Sequence, residues 1–199
     1  MMFIEEKATN QSIGMRKLVY GVGINDASYI TTKKSGGSTD RCPFYVKWLH
    51  MLERCYSPSF QSKNPAYRGC SVCDDWLTFS IFREWMKGEE WVGMSLDKDL
   101  IKKGNKIYSP SRCIFVTQEV NSIISKFGGD SPPKGISFSY NRYSVQCSVN
   151  GKQEKYGRYK TKKEAEDRYA EVKSEAVSEL AMDQDDYVAG LLFNYFGMN

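Results

Sequence analysis

At 199 residues, with 41% apolar content and a formal net charge of +4, the chain can bury one good core or two small ones. No apolar run approaches the roughly 20 residues of a membrane span, and the N-terminal MMFIEEKATNQ lacks the long apolar core of a signal peptide. A membrane partner is therefore excluded and a soluble, cytoplasmic chain expected, with its six cysteines as free thiols or metal ligands rather than disulfides.

Residues 1–41 are polar, Gly/Ser-rich from Lys33 to Asp40, with a weak strand expected at Leu18–Ile24. Residues 42–127 form a Trp- and Cys-rich unit that holds all four tryptophans, Trp48, Trp76, Trp85 and Trp91. Within it, PFYVKWLHMLERCYS has a helical pattern with Trp48, Leu52 and Cys55, and carries the only histidine, His50. A lone histidine in such a helix reads first as a packing or solvated residue and only second as a catalyst. Trp76, Phe79, Phe82, Trp85 and Met86 recur at helical spacing and are core. Residues 94–125 read as a strand to Leu96-Asp97, a polar loop, a second strand at Cys113–Val116 and a helix. Residues 128–134, GGDSPPK, are a linker by composition.

The third unit, residues 135–182, is a small sheet and a helix. From Tyr143 to Val149 every second residue is apolar (Tyr143, Val145, Cys147, Val149), so Arg142, Ser144, Gln146 and Ser148 point the other way. Asn150-Gly151 suits a tight hairpin turn, and a third strand follows. Thr161-Lys162-Lys163-Glu164 is a capping-box signature, and Ala165, Tyr169, Val172, Ala176 and Leu180 then recur at helical spacing, a stripe able to cover the sheet's apolar face. The other face is left open. Residues 134–163 carry eight lysines and arginines (Lys134, Arg142, Lys152, Lys155, Arg158, Lys160, Lys162, Lys163) against Glu154 alone, which leaves +7. A positive sheet backed by one helix is shaped to lie on a nucleic-acid backbone. The bland alternative is a module whose lysines only keep it soluble. Residues 183–199 form a last helix, apolar over a wide arc (Tyr187, Leu191, Tyr195 and Val188, Leu192, Phe196), which must dock on its own domain or on a second copy as a homodimer.

Gly135-Ile136, Tyr143, Gly151-Lys152, Tyr156-Gly157-x-Tyr159, Thr161, Glu164-Ala165 and Tyr169 together resemble the Apetala-two/ethylene-response-factor (ERF) domain, over roughly residues 132–180. That resemblance implies a three-stranded sheet plus helix that binds double-stranded DNA through its sheet. The family's usual tryptophan is Tyr143 here, and Ser137 and Ser139 stand on the first strand where base-reading arginines are expected, so DNA binding is implied rather than a base preference. The expected DNA-binding residues are Lys134, Arg142, Ser144, Gln146, Lys152, Lys155 and Arg158.

MSLDKDLIKKGNKIYSPSRCIFVTQEVNSIIS resembles the ββα-metal core of HNH nucleases, particularly phage homing endonucleases. The resemblance puts Asp97 on the metal-binding aspartate and Asn121 on the helical metal ligand, holding a divalent cation such as Mg²⁺ or Mn²⁺ against the scissile phosphate. Lys98 stands where the general-base histidine belongs, and Arg112 where its orienting asparagine belongs. A lysine near its ordinary pKa of ~10.4 is a poor base at neutral pH, so Lys98 or Asp99 could serve only in a shifted environment. Trp48…Arg54-Cys55…Gly69-Cys70-x-x-Cys73-x-x-Trp76…Phe79…Phe82 is similar to phage proteins of the same HNH group. Cys70-x-x-Cys73 with Cys55 and Cys113 could complete a tetrahedral zinc site, or all four could be packing residues.

The fold class expected is α+β: an HNH-like ββα-metal unit in a Trp/Cys-rich N-terminal domain, then an ERF-type sheet module and a C-terminal helix. The expected function is metal-dependent DNA cleavage or nicking at a site chosen by the C-terminal module. The alternative is a catalytically inactive regulator or anti-defence factor that binds DNA or a host protein.

Overall fold

The computed structural model describes residues 3–128, 135–149 and 152–198. The chain is a mixed α+β protein of small sheets that divides into two compact units, Met1–Phe115 and Val116–Asn199.

The first unit opens with α1 (Asn10–Gly14), capped by the Thr9 side chain, which accepts the Ser12 N–H. The strand expected at Leu18–Ile24 is instead a tight turn. Tyr20 and Gly21 have φ of 50° and 79°, and only an isolated bridge links Val19 to Gly23. Arg16 holds this segment by donating to the carbonyls of Asn25, Ala27 and Tyr29, a long-range tie that no local pattern encodes. The Gly/Ser-rich stretch then folds as an antiparallel hairpin, β1 (Thr32–Ser35) and β2 (Ser38–Arg41), about Gly36-Gly37. Both glycines have positive φ, 54° and 85°, the conformation a two-residue hairpin turn requires.

Helix α2 (Pro43–Tyr56) starts on a proline and buries Trp48, Met51, Leu52 and Cys55. Next come α3 (Pro58–Lys63), β3 (Ser71–Val72) and α4 (Phe79–Lys87), which buries Phe79, Phe82 and Met86. Trp76 lies between them, its ring 5.1 Å from Phe82 and 4.4 Å from Trp85, while its carbonyl accepts the Trp48 indole N–H at 2.7 Å. Strands β4 (Ser95–Asp97), β5 (Ile107–Tyr108) and β6 (Ile114–Val116) complete the unit; β3 pairs in parallel with β5, and β4 pairs with β6.

The second unit begins with α5 (Gln118–Phe127), capped by Thr117. Its apolar stripe of Val120, Ile123, Ile124 and Phe127 is buried, and the Phe127 ring meets Tyr169 edge-on at 6.0 Å. Packing thus groups α5 with the sheet module, although sequence continuity assigns it to residues 42–127. Strands β7 (Ile136–Ser139), β8 (Arg142–Val149) and β9 (Lys152–Tyr159) form an antiparallel sheet in that order. Gly135 sits where β8 approaches closely: its carbonyl accepts the Gln146 N–H at 2.7 Å, and a Cβ there would meet the Gln146 carbonyl at 2.5 Å.

Helix α6 (Lys162–Met182) starts with the expected capping box between Thr161 and Glu164 and buries Ala165, Val172, Ala176, Val177 and Ala181. Helix α7 (Asp186–Phe196) ends on Gly197 at φ 66° and buries Val188 and Leu192. It packs on α6 of the same chain, with the Lys173 ammonium 4.9 Å above the Phe196 ring, and Tyr187 remains exposed. Residues 129–134 of the expected 128–134 linker, and the Asn150-Gly151 turn, lie outside the described residues. Among the described residues no helix is long and apolar enough to cross a membrane.

Candidate functional site

Strand β4 delivers Asp97 into a buried polar centre. Its Oδ1 accepts the backbone N–H groups of Asp99 at 2.8 Å and Leu100 at 2.7 Å, so the carboxylate closes the turn that leaves the strand. Burial raises the Asp97 pKa, opposed by those two amide bonds. Lys98 is also buried, and its Nζ donates to both carboxylate oxygens of Asp99 and to the Asn105 carbonyl. The Asn105 side chain, itself buried, donates to the carbonyls of Lys98 at 2.9 Å and Ile107 at 2.7 Å, while its Oδ1 accepts the Ile107 N–H. Arg112 reaches the same Oδ1 at 3.5 Å, the limit of a hydrogen bond.

Of the expected catalytic residues, Lys98 and Arg112 thus meet Asn105, which sequence reasoning left unassigned in a polar loop, while Asp99 joins through Lys98 and Asp97 through the Asp99 amide. Its only sequence signal is the Gly104-Asn105 step, which says turn rather than hub. Lys98 and Arg112 are both engaged within this cluster. The ammonium has all three protons engaged, and the guanidinium addresses Asn105 rather than residue 98. Asn121 lies half-buried in α5 and belongs to the second unit. His50 is exposed on α2, its pKa lowered by partial desolvation and then by Arg54.

A divalent cation would find only one oxygen of Asp97 outside the turn bonds, on a carboxyl whose burial already disfavours charge. Among the described residues no three His, Cys, Asp or Glu side chains are grouped as a metal ion requires. This donor set does not by itself fit a cation. The same holds for Cys55, Cys70, Cys73 and Cys113, which are free thiols in or against the hydrophobic core. Burial and then neighbouring thiols push Cys55 up to about 12; burial likewise takes Cys113 to about 12 and raises Cys70. Among the described residues these cysteines are not grouped as a zinc ion requires.

The sheet presents a different chemistry. Pairing puts Ser144 opposite both Ser137 and Arg158, Ser139 opposite Arg142, and Gln146 opposite Lys155; opposed residues share a face. Val145 and Cys147 are buried on the helix side, so the other face carries Ser137, Ser139, Arg142, Ser144, Gln146, Lys155 and Arg158. Lys155 and Arg158 are three residues apart, and strict alternation would send them to opposite faces. A bulge solves this: the register shifts between Val145 and Gln146, Tyr156 is the extra residue on β9, and Gly157 takes φ 119°. Arg158 also donates across β8 to the Ser139 carbonyl at 3.1 Å, which fixes its guanidinium over the sheet. Glu154 is in register with Cys147 on the covered side and accepts the Tyr156 hydroxyl at 3.1 Å. The described open face therefore has cations and neutral polar groups but no carboxylate. Lys152 is in register with Val149, and Lys134 lies outside the described residues.

Comparison with models of protein families, with curated proteins and with solved structures finds no match to this chain.

Proposed function

We propose that the second unit binds double-stranded DNA through the open face of β7–β8–β9. The observation that carries this reading is the carboxylate-free face on which Arg142, Lys155 and Arg158 flank Ser144 and Gln146. Arginine and glutamine offer paired hydrogen-bonding groups to base edges in a groove, while lysine neutralises phosphate. The resemblance to the ERF domain, whose DNA contact runs through the same sheet, supports the assignment. Fluorescence anisotropy of the whole chain with labelled duplex, titrated with salt, is the test. With three cations on the face, log affinity should fall against log salt with a slope of about 3. Affinity that does not respond to salt, or no binding at low salt, would remove the reading.

Metal-dependent cutting or nicking, implied by the HNH resemblance of residues 94–125, is the second reading. The engaged state of Lys98 and Asp99 favours a unit that binds without cutting, since neither group is at liberty to take a proton from water. Incubating supercoiled DNA with the protein and Mg²⁺ or Mn²⁺ separates the two: accumulation of nicked circles restores the nuclease reading, and intact supercoils favour the binder.

A further inference from the structure

Tyr140 and Asn141 connect β7 to β8 in a two-residue turn in which both φ angles are positive, 47° and 57°. Asparagine and glycine suit such a turn; a bulky side chain in the left-handed region is uncommon and disfavoured. The Tyr140 residue is 92% exposed, so no packing compensates for that conformation. Neither the turn nor the core accounts for an aromatic residue here. Residues held in disfavoured backbone regions concentrate at binding sites, and this one lies at the end of the proposed binding face.

Its neighbours supply the rest of a site. Phe138 is 59% exposed, its ring 4.6 Å from that of Tyr143, and Tyr143 is in register with both Phe138 and Tyr159. One aromatic row therefore crosses the sheet beside the turn. On the opposite face at the same end stand Arg142, paired with Ser139, and Arg158, hydrogen-bonded to the Ser139 carbonyl. The hairpin from Gly135 to Val149 contains no aspartate or glutamate. An exposed aromatic residue in the turn, with two arginines at the same end of the sheet and no carboxylate in the hairpin, matches a nucleotide whose base is out of its stack. The ring takes the π-face of the base and the guanidiniums take the flanking phosphates.

We infer that the β7–β8 tip recognises an unpaired or extruded nucleobase in bound DNA, with Tyr140 stacking on the base and Arg142 and Arg158 holding the adjacent backbone. This rests on the sheet's DNA-binding role and adds what it selects: bulges, mismatches or duplex ends rather than uniform duplex.

The test uses the whole chain and two duplexes that differ by one unpaired base, a fluorescent adenine analogue. The wild-type protein should bind the bulged duplex about tenfold more tightly than the continuous one, the scale of one base–aromatic stack, and quench the analogue. Tyr140→Asn removes the ring and suits the left-handed turn, so the protein should keep its fold and its affinity for continuous duplex while losing both the preference and the quenching. Tyr140→Phe should retain both. Equal affinity of wild type for the two duplexes, or a preference that survives Tyr140→Asn, overturns the tip assignment and leaves sheet binding intact. Absence of salt-dependent binding to either duplex overturns the sheet reading and this one together.

Discussion

The Lys98 ammonium lies 2.8 and 2.7 Å from the two carboxylate oxygens of Asp99, with the lysine side chain 7% exposed and the aspartate 28%. Its third proton goes to the Asn105 carbonyl at 2.8 Å. A cation held this way is an architectural group that ties the end of β4 to the loop before β5. Lys98→Ala should lower stability by roughly 2 kcal/mol, less than for a fully buried pair because Asp99 is partly solvated; urea unfolding measures it.

The same pair bears on catalysis. If the unit is a degenerate nuclease, Lys98→His should raise nicking of supercoiled DNA, since a general base typically contributes ~10²–10⁴-fold. Because Asp99 and Asn105 are arranged around an ammonium rather than an imidazole, the expected outcome is no gain. A clear rise would return the first unit to the nuclease class.

Asp97 separates structure from charge. Asp97→Asn keeps an oxygen for the Asp99 and Leu100 amides and removes a carboxylate whose pKa burial raises, so stability at neutral pH should hold or improve. Asp97→Ala leaves those amides without their acceptor and should cost about 1–3 kcal/mol. Thermal melts distinguish the two, and DNA affinity should be unchanged in both, because the residue lies in the first unit.

On the sheet, Arg142→Ala and Arg158→Ala should each weaken DNA binding and reduce the salt slope by about 1. Lys155→Ala should do the same across all sequences, as a phosphate contact would. Glu154→Gln, on the covered side, should leave affinity almost unchanged.

Cys55 and Cys113 predict an alkaline limit. Each is held up at about 12 by burial, whereas an unfolded thiol ionises near 9. Folding therefore favours the protonated form: the stabilisation is complete below pH 9 and is lost as pH rises from 9 toward 12. Stability should fall over that interval, and native protein at pH 8 should react with a thiol reagent at Cys55 and Cys113 only on unfolding.

Gly135→Ala should destabilise the second unit by about 1–3 kcal/mol, because the added methyl meets the Gln146 carbonyl, which the backbone cannot easily withdraw. Circular dichroism melts would register it as an earlier transition.

Local periodicity was enough to foresee β8, the capping box at Thr161 and Glu164, and the buried stripe of Ala165, Val172 and Ala176, because each follows from residues within one or two turns of one another. The same is true of the aromatic core around Trp76 and Phe82. Longer-range relations were not legible. Leu18–Ile24 reads as a strand by composition but turns back on itself, tied by Arg16 to distant carbonyls. Asn105 looks like a loop residue until the backbones of Lys98 and Ile107 come to its amide. Lys155 and Arg158 share a face only because a bulge at Tyr156 re-phases β9 against β8, and a bulge is a property of two paired strands. The sequence by itself determined β8, the capped helix α6 and the apolar stripes of the aromatic core, and where positive charge is concentrated. The tertiary structure decided that Lys155 and Arg158 join Arg142 on one side of the sheet and that Lys98 is paired with Asp99 and Asn105, since both depend on partners that the chain brings together only on folding.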